Sequence, residues 1–211
     1  GKPIEEVRRE YGLSGRVAKL ASNENPLGSS PLAVAAMRAA IEDVSLYPDD
    51  NAWYFRTKVA ERLGVRFENV FAAAGSVEVI EIAATAFLNP GEVVVSSEKT
   101  FAMYALAAEK AGVEFRAAPM CDGGYRYDLE AMSRLLDERV KIVYLANPTN
   151  PTGTWFTREE FDRFVERVPE DAVIVYDAAY QEYITEPDLP EPMDAFRRGR
   201  RILVLRTMSK A

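Results

Sequence analysis

The chain has 211 residues, 48% of them hydrophobic, and a formal net charge of −7, so it can bury a globular core but offers no basic footprint for nucleic acid or an anionic membrane. It contains no histidine, which excludes Ser-His-Asp and Cys-His catalysis and zinc sites with histidine ligands, and no metal site is expected. One cysteine, no apolar run of about 20 residues and no signal peptide lead us to expect a cytoplasmic protein without a membrane span.

The first predicted segment is an N-terminal arm, residues 1–30, which reads as irregular from Leu13 to Ser30. Residues 31–211 are predicted to form one large domain that is incomplete at its C-terminal end. In this second part, segments of helical period alternate with short apolar runs, as is typical of parallel strands joined by crossover helices.

The predicted helices are Pro31–Asp43, Ala52–Leu63, Val77–Leu88, Ala102–Ala111, Leu129–Leu136, Arg158–Arg167 and a helix around Met193–Arg198. The predicted strands are Val70–Ala73, Glu92–Ser96, Glu114–Ala117, Lys141–Ala146, Ala172–Tyr176 and Arg201–Arg206. Several strands are apolar at successive positions, as expected when both faces of a sheet are covered. We therefore predict a three-layer α/β fold with a mostly parallel central sheet.

Ligands of open α/β sheets bind beyond the carboxyl ends of the strands, so the residues after each strand are candidates for a site. After Val70–Ala73 comes "AGSVE", which opens a helix. Gly75 permits close backbone approach, and the N–H groups of Ser76 and Val77 at a helix N-terminus can bind an anion. The same letters also fit an ordinary turn and helix cap.

The segment "NPTNPTG", Asn147 to Gly153, follows the strand Lys141–Ala146. A single Asn-Pro pair is most often a turn. Two such pairs closing in Thr-Gly are much rarer, and their rigidity could fix the amide of Asn150 at a defined point above the sheet edge.

The last two strands end in chemically useful side chains. Asp177 follows "AVIVY", where a buried carboxylate needs a cationic partner unless it simply caps the next segment. Thr207, Ser209 and Lys210 follow the closing strand. A lysine that is desolvated there has a lowered pKa, and its neutral amine can attack a carbonyl. With two hydroxyls beside it, the lysine suits an aldehyde that carries a phosphate, although most single lysines lie on the surface.

Together these motifs resemble the class I and II aminotransferases, which are pyridoxal-phosphate enzymes of fold type I. The resemblance is carried, in family order, by "GKPIEEVRREYG", "KLASNENPLG", "LYPDDNA", "GSVEVIE", "KTFAMY", "NPTNPTG", "DAAYQEY" and "RTMSKA". The sequence is most similar to the histidinol-phosphate branch of that family. The resemblance implies transamination between L-histidinol phosphate and 2-oxoglutarate, with small amino-acid and 2-oxo-acid substrates, in a homodimer that shares its active sites.

The resemblance also assigns roles around the ring of pyridoxal 5'-phosphate. Lys210 would bind the aldehyde and then carry protons, and Asp177 would pair with the pyridine nitrogen. Asn150 and Tyr180 would hydrogen-bond the phenolic oxygen of the ring. Phe101 would stack on the ring face.

The phosphate of the cofactor would be held by a second group of residues. The backbone N–H groups of Ser76 and Val77 and the hydroxyls of Thr207 and Ser209 would cradle it. Tyr47 would reach the phosphate bound in the neighbouring subunit, which makes the homodimer part of the site.

The chain departs from the family pattern at a few places. It has "AAGS" where relatives commonly have Gly-Asn-Gly-Ser, and Ala178 where a glutamate is common. Relatives continue past the lysine with arginines for the cofactor phosphate and the substrate carboxylate, so we expect these residues to be part of a longer enzyme. Without those arginines, three alternatives to the histidinol-phosphate assignment stay open: an aromatic or broad-range aminotransferase, a phosphoamino-acid decarboxylase of the same fold, and a non-catalytic fragment. Dinucleotide binding is disfavoured, because no Gly-x-Gly-x-x-Gly follows a strand.

Overall fold

The computed structural model describes residues 2–20 and 22–210, apart from the side chain of Asp122. The chain divides into two compact units. The first comprises residues up to 49 together with Lys210, and the second comprises residues 50–209. The predicted boundary between an arm and a large domain at residue 30 stays a prediction.

The first unit contains two helices, α1 (Ile4–Tyr11) and α2 (Pro31–Ala40), and α2 continues into a single 3-10 turn. Between them, the described residues form no helix or strand, as predicted for the arm. The helix α1 was not among the predicted helices, although its first turn is acidic and its last turn basic, which suits the helix dipole. No described residue from 2 to 49 is buried, so this part of the chain has no hydrophobic core of its own.

The second unit alternates helices and strands. Its helices are α3 (Trp53–Leu63), α4 (Ser76–Phe87), α5 (Met103–Lys110), α6 (Leu129–Ser133), α7 (Arg158–Arg167) and α8 (Pro192–Arg197). Its strands are β1 (Val93–Ser97), β2 (Glu114–Ala118), β3 (Met120–Cys121), β4 (Arg126–Tyr127), β5 (Val140–Ala146), β6 (Val173–Asp177) and β7 (Ile202–Leu205). Within the described residues, no helix has the length and apolar character needed to cross a membrane.

Five strands form one parallel sheet in the order β2-β1-β5-β6-β7, and β3 pairs with β4 as a short antiparallel ribbon. The α/β prediction with a mostly parallel sheet is thereby confirmed. The strand order reverses between β1 and β5, because β2 lies on one side of β1 and the later strands on the other. Such a reversal opens a crevice at the carboxyl ends of the strands, where ligands of this fold class bind.

Alternate residues of the central strands pack into two hydrophobic clusters. Val94, Ile142 and Tyr144 face one cluster, which includes residues of α4 and α5. Val93 and Val143 face the other cluster, which includes residues of α6, α7 and α8. Because successive strand residues point to opposite faces, helices cover both sides of the sheet, as the predicted three layers require.

The predicted strand Val70–Ala73 is wrong, since these residues pair with no strand in the structure. The polar groups of Val70 are already used locally. Its N–H donates to the carbonyl of Phe67, and its carbonyl accepts from Arg56 Nε at 2.7 Å. The apolar residues Val70–Ala73 therefore form an extended segment that leads into α4. The strand ends at which a ligand site is expected belong to the parallel sheet.

Candidate active site

Three loops leave the sheet at the same level, because the last residues of β5, β6 and β7 are in register. Ala146 is paired with Asp177, and Asp177 with Leu205. Backbone hydrogen bonds continue the alignment by one residue, from Asn147 N to Asp177 O at 3.1 Å and from Ala178 N to Leu205 O at 2.9 Å. The segments that carry Asn150, Tyr180 and Thr207 therefore start from one edge of the sheet.

Asp177 lies at the centre of this edge and is 6% exposed. The hydroxyl of Tyr104 donates to its Oδ2 at 2.8 Å, and the backbone N–H of Ala179 donates to its Oδ1 at 3.1 Å. Burial raises the pKa of Asp177 above its ordinary value, while these two hydrogen bonds act in the opposite direction. In the part of the chain that the structure describes, no lysine or arginine forms an ion pair with it. A buried carboxylate of this kind fits a ligand that brings its own positive charge, as a protonated pyridine nitrogen does.

Tyr104 is a functional candidate that was not among the predicted site residues. It is fully buried, and burial together with Asp177 raises its pKa well above the ordinary value, so the phenol stays protonated and remains a donor. Its ring is parallel to that of Tyr144 with centroids 4.5 Å apart, and it meets Phe101 edge-on at 5.8 Å. The available signal was its position in "TFAMY", three residues after the aromatic residue predicted to stack on the ring.

The side-chain amide of Asn147 is hydrogen-bonded within the protein through both its oxygen and its nitrogen. Its Oδ1 accepts from Phe156 N at 3.0 Å, and its Nδ2 donates to the hydroxyl of Tyr176 at 2.9 Å. Asn147 is buried, so these bonds tie the start of the "NPTNPTG" loop to the strand β6.

Asn150 differs from Asn147 in each of these respects. It is half-buried, and no described residue hydrogen-bonds its side-chain amide. The loop around it is closed by Thr149 N, which donates to Thr154 O at 2.7 Å. The structure thus holds the loop in place and leaves the Asn150 amide available for a ligand.

The helix α4 begins at Ser76, one residue earlier than predicted. Gly75 precedes it with φ of 98°, a conformation that favours glycine, and no side chain caps the first turn. The N–H groups of Ser76 and Val77 therefore remain available for an anion. Glu78 reaches back to accept from Ala74 N at 2.6 Å, which places a carboxylate in the same first turn.

After β7, the two predicted hydroxyls lie side by side. Thr207 Oγ1 and Ser209 Oγ are 2.8 Å apart, and Ser209 N donates to Thr207 Oγ1 at 3.2 Å. One of these hydroxyls donates to the other, so the pair in this geometry offers one hydroxyl donor to an oxyanion.

Tyr180, Lys210 and Tyr47 are three further predicted site residues. Tyr180 is half-buried and precedes the 3-10 turn Gln181–Tyr183. Lys210 and Tyr47 belong to the first unit. Lys210 Nζ donates to the carbonyl of Asn23 at 3.0 Å, and the ring of Tyr47 is fully exposed. Their membership of a shared site stays a prediction.

Residues 16–211 match the family described as aminotransferase class I and II. The chain is 50% identical over 210 residues to a histidinol-phosphate aminotransferase from Anaeromyxobacter sp. strain Fw109-5, covering 100% of this chain and 57% of that protein. It is 45% identical over 210 residues to a histidinol-phosphate aminotransferase from Halalkalibacterium halodurans, with 100% of this chain and 56% of the relative covered. The chain therefore spans little more than half the length of these curated relatives.

Among solved structures, the fold is similar to histidinol-phosphate aminotransferase from Sinorhizobium meliloti in complex with pyridoxal-5'-phosphate. The TM-score is 0.90 at 26% identity, over 100% of this chain and 56% of that one. A single mutant of aspartate aminotransferase from Thermus thermophilus gives a TM-score of 0.84 at 19% identity, over 97% of this chain and 55% of that one, a likeness of fold alone.

Proposed function

The chain belongs to the class I and II aminotransferase family, and from this premise we propose that the protein transaminates L-histidinol phosphate with 2-oxoglutarate, using pyridoxal 5'-phosphate. The observation that carries the proposal is the buried carboxylate of Asp177, which lacks a cationic partner among the described residues. Relatives that carry the histidinol-phosphate name match the whole chain at 50% and 45% identity, which supports the choice of substrate.

When bound, pyridoxal phosphate supplies an aldehyde that condenses with amines and a ring that withdraws electrons. Asp177 would hold a proton on the ring nitrogen, which strengthens that withdrawal. Lys210 Nζ would take a proton from the substrate carbon that bears the amine, carry it, and then release it to another atom of the reacting group. Asn150 and Tyr180 would hydrogen-bond the phenolic oxygen, and Phe101 would cover one face of the ring.

The phosphate end of the cofactor would be anchored by fixed donors. The start of α4 presents the N–H groups of Ser76 and Val77, and the helix dipole favours a negative charge there. The paired hydroxyls of Thr207 and Ser209, 2.8 Å apart, would complete the cradle. None of these groups needs to change protonation during turnover, which suits an anchor.

The substrate assignment is tested by steady-state kinetics of the full-length protein. Histidinol phosphate, phenylalanine and aspartate are compared as amino donors with 2-oxoglutarate as acceptor. We expect the highest kcat/KM for histidinol phosphate. Preference for phenylalanine or aspartate would replace the histidinol-phosphate assignment by an aromatic or broad-range one, and loss of carbon dioxide from a phosphoamino acid would replace it by decarboxylation.

We also propose that the protein works as a homodimer that shares its active sites. Several large apolar side chains of the first unit are exposed: Leu20, Leu27, Leu32, Met37, Ile41, Val44 and Leu46. Apolar exposure on this scale is typical of surfaces that another protein segment covers. Tyr47 directly follows this series, and in the proposed dimer it reaches the cofactor phosphate of the neighbouring subunit.

Mixing two variants tests whether Tyr47 acts between subunits. Lys210→Ala removes the lysine that binds the cofactor, and Tyr47→Phe removes the phenol. A mixed dimer regains one site that has both groups only if Tyr47 acts on the partner's cofactor. We expect mixing to restore high-affinity cofactor binding beyond the sum of the separate variants, whereas no gain from mixed dimers would contradict a shared site.

We propose the cytoplasm as the place of action, because a single thiol, Cys121, is compatible with a reducing compartment. Cell fractionation with an antibody against the protein tests this proposal. Recovery in the membrane or extracellular fraction would contradict it.

A further inference from the structure

Asp177 has one hydrogen-bond donor on each carboxylate oxygen. Oδ2 receives the hydroxyl of Tyr104 at 2.8 Å, and Oδ1 receives the backbone N–H of Ala179 at 3.1 Å. A carboxylate oxygen can accept more than one hydrogen bond, so each retains capacity for a ligand. The phenol of Tyr104 is the only side-chain donor to Asp177 among the described residues.

The phenol opposes the effect of burial on Asp177. Burial favours the neutral acid, whereas a donor to the carboxylate favours the charged form. Burial first, and Asp177 to a lesser extent, raise the pKa of the Tyr127 phenol to about 12, and this phenol hydrogen-bonds Thr100. Neither phenol carries a positive charge, so Tyr104 orients the carboxylate of Asp177 without neutralising it.

Tyr104 itself is held from several sides. It is fully buried, it stacks on Tyr144 with rings 1° from parallel, and Phe101 meets its edge. The hydroxyl of Tyr144 in turn donates to the carbonyl of Ile80 in α4 at 3.2 Å. A donor fixed in this way by β5, α5 and α4 cannot turn away from Asp177 without disturbing the core.

We infer that Tyr104 is a positioning residue, which orients the carboxylate of Asp177 toward the positively charged ring nitrogen of the cofactor and favours the charged form of that carboxylate. The inference deepens the proposed function and rests on it, since it needs a ligand with that nitrogen. Tyr104 touches Asp177 and not the reacting atoms, so its effect should appear in how well the protein distinguishes ligands by their ring nitrogen.

The test compares binding of two ligands to the full-length apoprotein, pyridoxal phosphate and its analogue with carbon in place of the ring nitrogen. Affinities are measured by fluorescence titration, without any turnover. The wild-type protein should prefer pyridoxal phosphate. Tyr104→Phe, which keeps the ring stack, should lose about ten-fold of that preference, as expected for one hydrogen bond to a charged group. Tyr144→Phe is the matched control, because it also removes one buried hydroxyl from the same stack, and it should keep the preference.

Two further variants isolate the path through Asp177. In an Asp177→Asn background, Tyr104→Phe should cause no additional loss of preference, since both changes remove the same interaction. Tyr104→His retains a ring N–H donor and should recover part of the preference.

The outcomes separate the inference from the proposed function. Equal weakening of both ligands by Tyr104→Phe, or an unchanged preference, would overturn the inference while leaving the proposed function intact. A wild-type protein with no preference for the ligand that has the ring nitrogen would overturn the role of Asp177 in the proposed function and the inference together.

Discussion

Replacing Asp177 by asparagine should make the apoprotein more stable while it removes the proposed cofactor contact. The side chain is 6% exposed, and no described cation pairs with it, so its charge, when it is ionised, lies buried and uncompensated. Asparagine has the same shape, and its amide can still accept from Ala179 N and donate to the oxygen of Tyr104. The change therefore removes the charge and keeps the local contacts.

The size of the effect follows from the contacts of the carboxylate. A buried ion left without its partner costs about 3–5 kcal/mol. The two hydrogen bonds that Asp177 receives are charge-assisted and each exceed a neutral one by about 1 kcal/mol, an advantage that the amide loses. The variant should thus be stabilised by about 1–3 kcal/mol at neutral pH, which raises Tm by several degrees.

The pH dependence of this gain has a definite sign. Burial raises the folded-state pKa of Asp177, so the folded protein binds a proton more readily than the unfolded chain. The stability that this proton contributes is complete below the unfolded pKa of about 3.9 and is lost as pH rises through the folded value. The difference between variant and wild type should therefore be small in acid and grow toward neutral pH.

Thermal unfolding of the full-length apoprotein at several pH values, with and without pyridoxal phosphate, measures both effects. We expect the variant to unfold at the higher temperature without cofactor, and the wild type to gain more from cofactor, because ligand binding to the folded state raises Tm. A variant that is less stable than wild type at neutral pH, or a stability difference that does not change with pH, would show that Asp177 carries no uncompensated charge in the folded apoprotein.

Three further predictions concern neighbouring groups. Asn147→Ala should lower the free energy of unfolding by about 2–5 kcal/mol, because it leaves buried partners such as the hydroxyl of Tyr176 unsatisfied. Asn150→Ala is the matched control, and it should weaken cofactor binding with little change in unfolding by denaturant. Equal losses of stability would show that the two amides are equivalent. Glu78→Gln removes a carboxylate from the first turn of α4 and should raise the affinity of the apoprotein for inorganic phosphate severalfold at low salt. Titration calorimetry measures this affinity, and an increase of the same size at high salt would show that charge repulsion by Glu78 is not its cause. Thr207→Val should weaken binding of pyridoxal phosphate about ten-fold and leave pyridoxal, which has no phosphate, unaffected; equal losses for both ligands would remove Thr207 from the phosphate cradle.

The edge of the sheet could be predicted from the sequence because it depends only on strand assignments. Once β5, β6 and β7 are taken as parallel, their carboxyl ends must share an edge, and Asp177 falls there directly. Tyr104 could not be found in this way, since its hydrogen bond joins residues 73 positions apart. Helical periodicity shows that such a tyrosine faces the core, but not which polar group it meets there.

Local competition for hydrogen bonds explains other differences. The apolar letters of Val70–Ala73 suit a strand, but Arg56, 14 residues earlier, binds the carbonyl of Val70. The sequence gives no sign of that contact. In the same way, the two Asn-Pro pairs look alike in sequence. Only the structure shows that the side-chain amide of Asn147 hydrogen-bonds Phe156 and Tyr176, while no described residue hydrogen-bonds the side-chain amide of Asn150.

The proposed cofactor site can be tested by borohydride reduction of the full-length protein after incubation with pyridoxal phosphate, followed by peptide mass spectrometry. If the edge that holds Asp177 is a cofactor site served by the lysine after β7, the phosphopyridoxyl group should be found on Lys210 at one per chain. Labelling of a different lysine, or no stable labelling at saturating cofactor, would contradict the account.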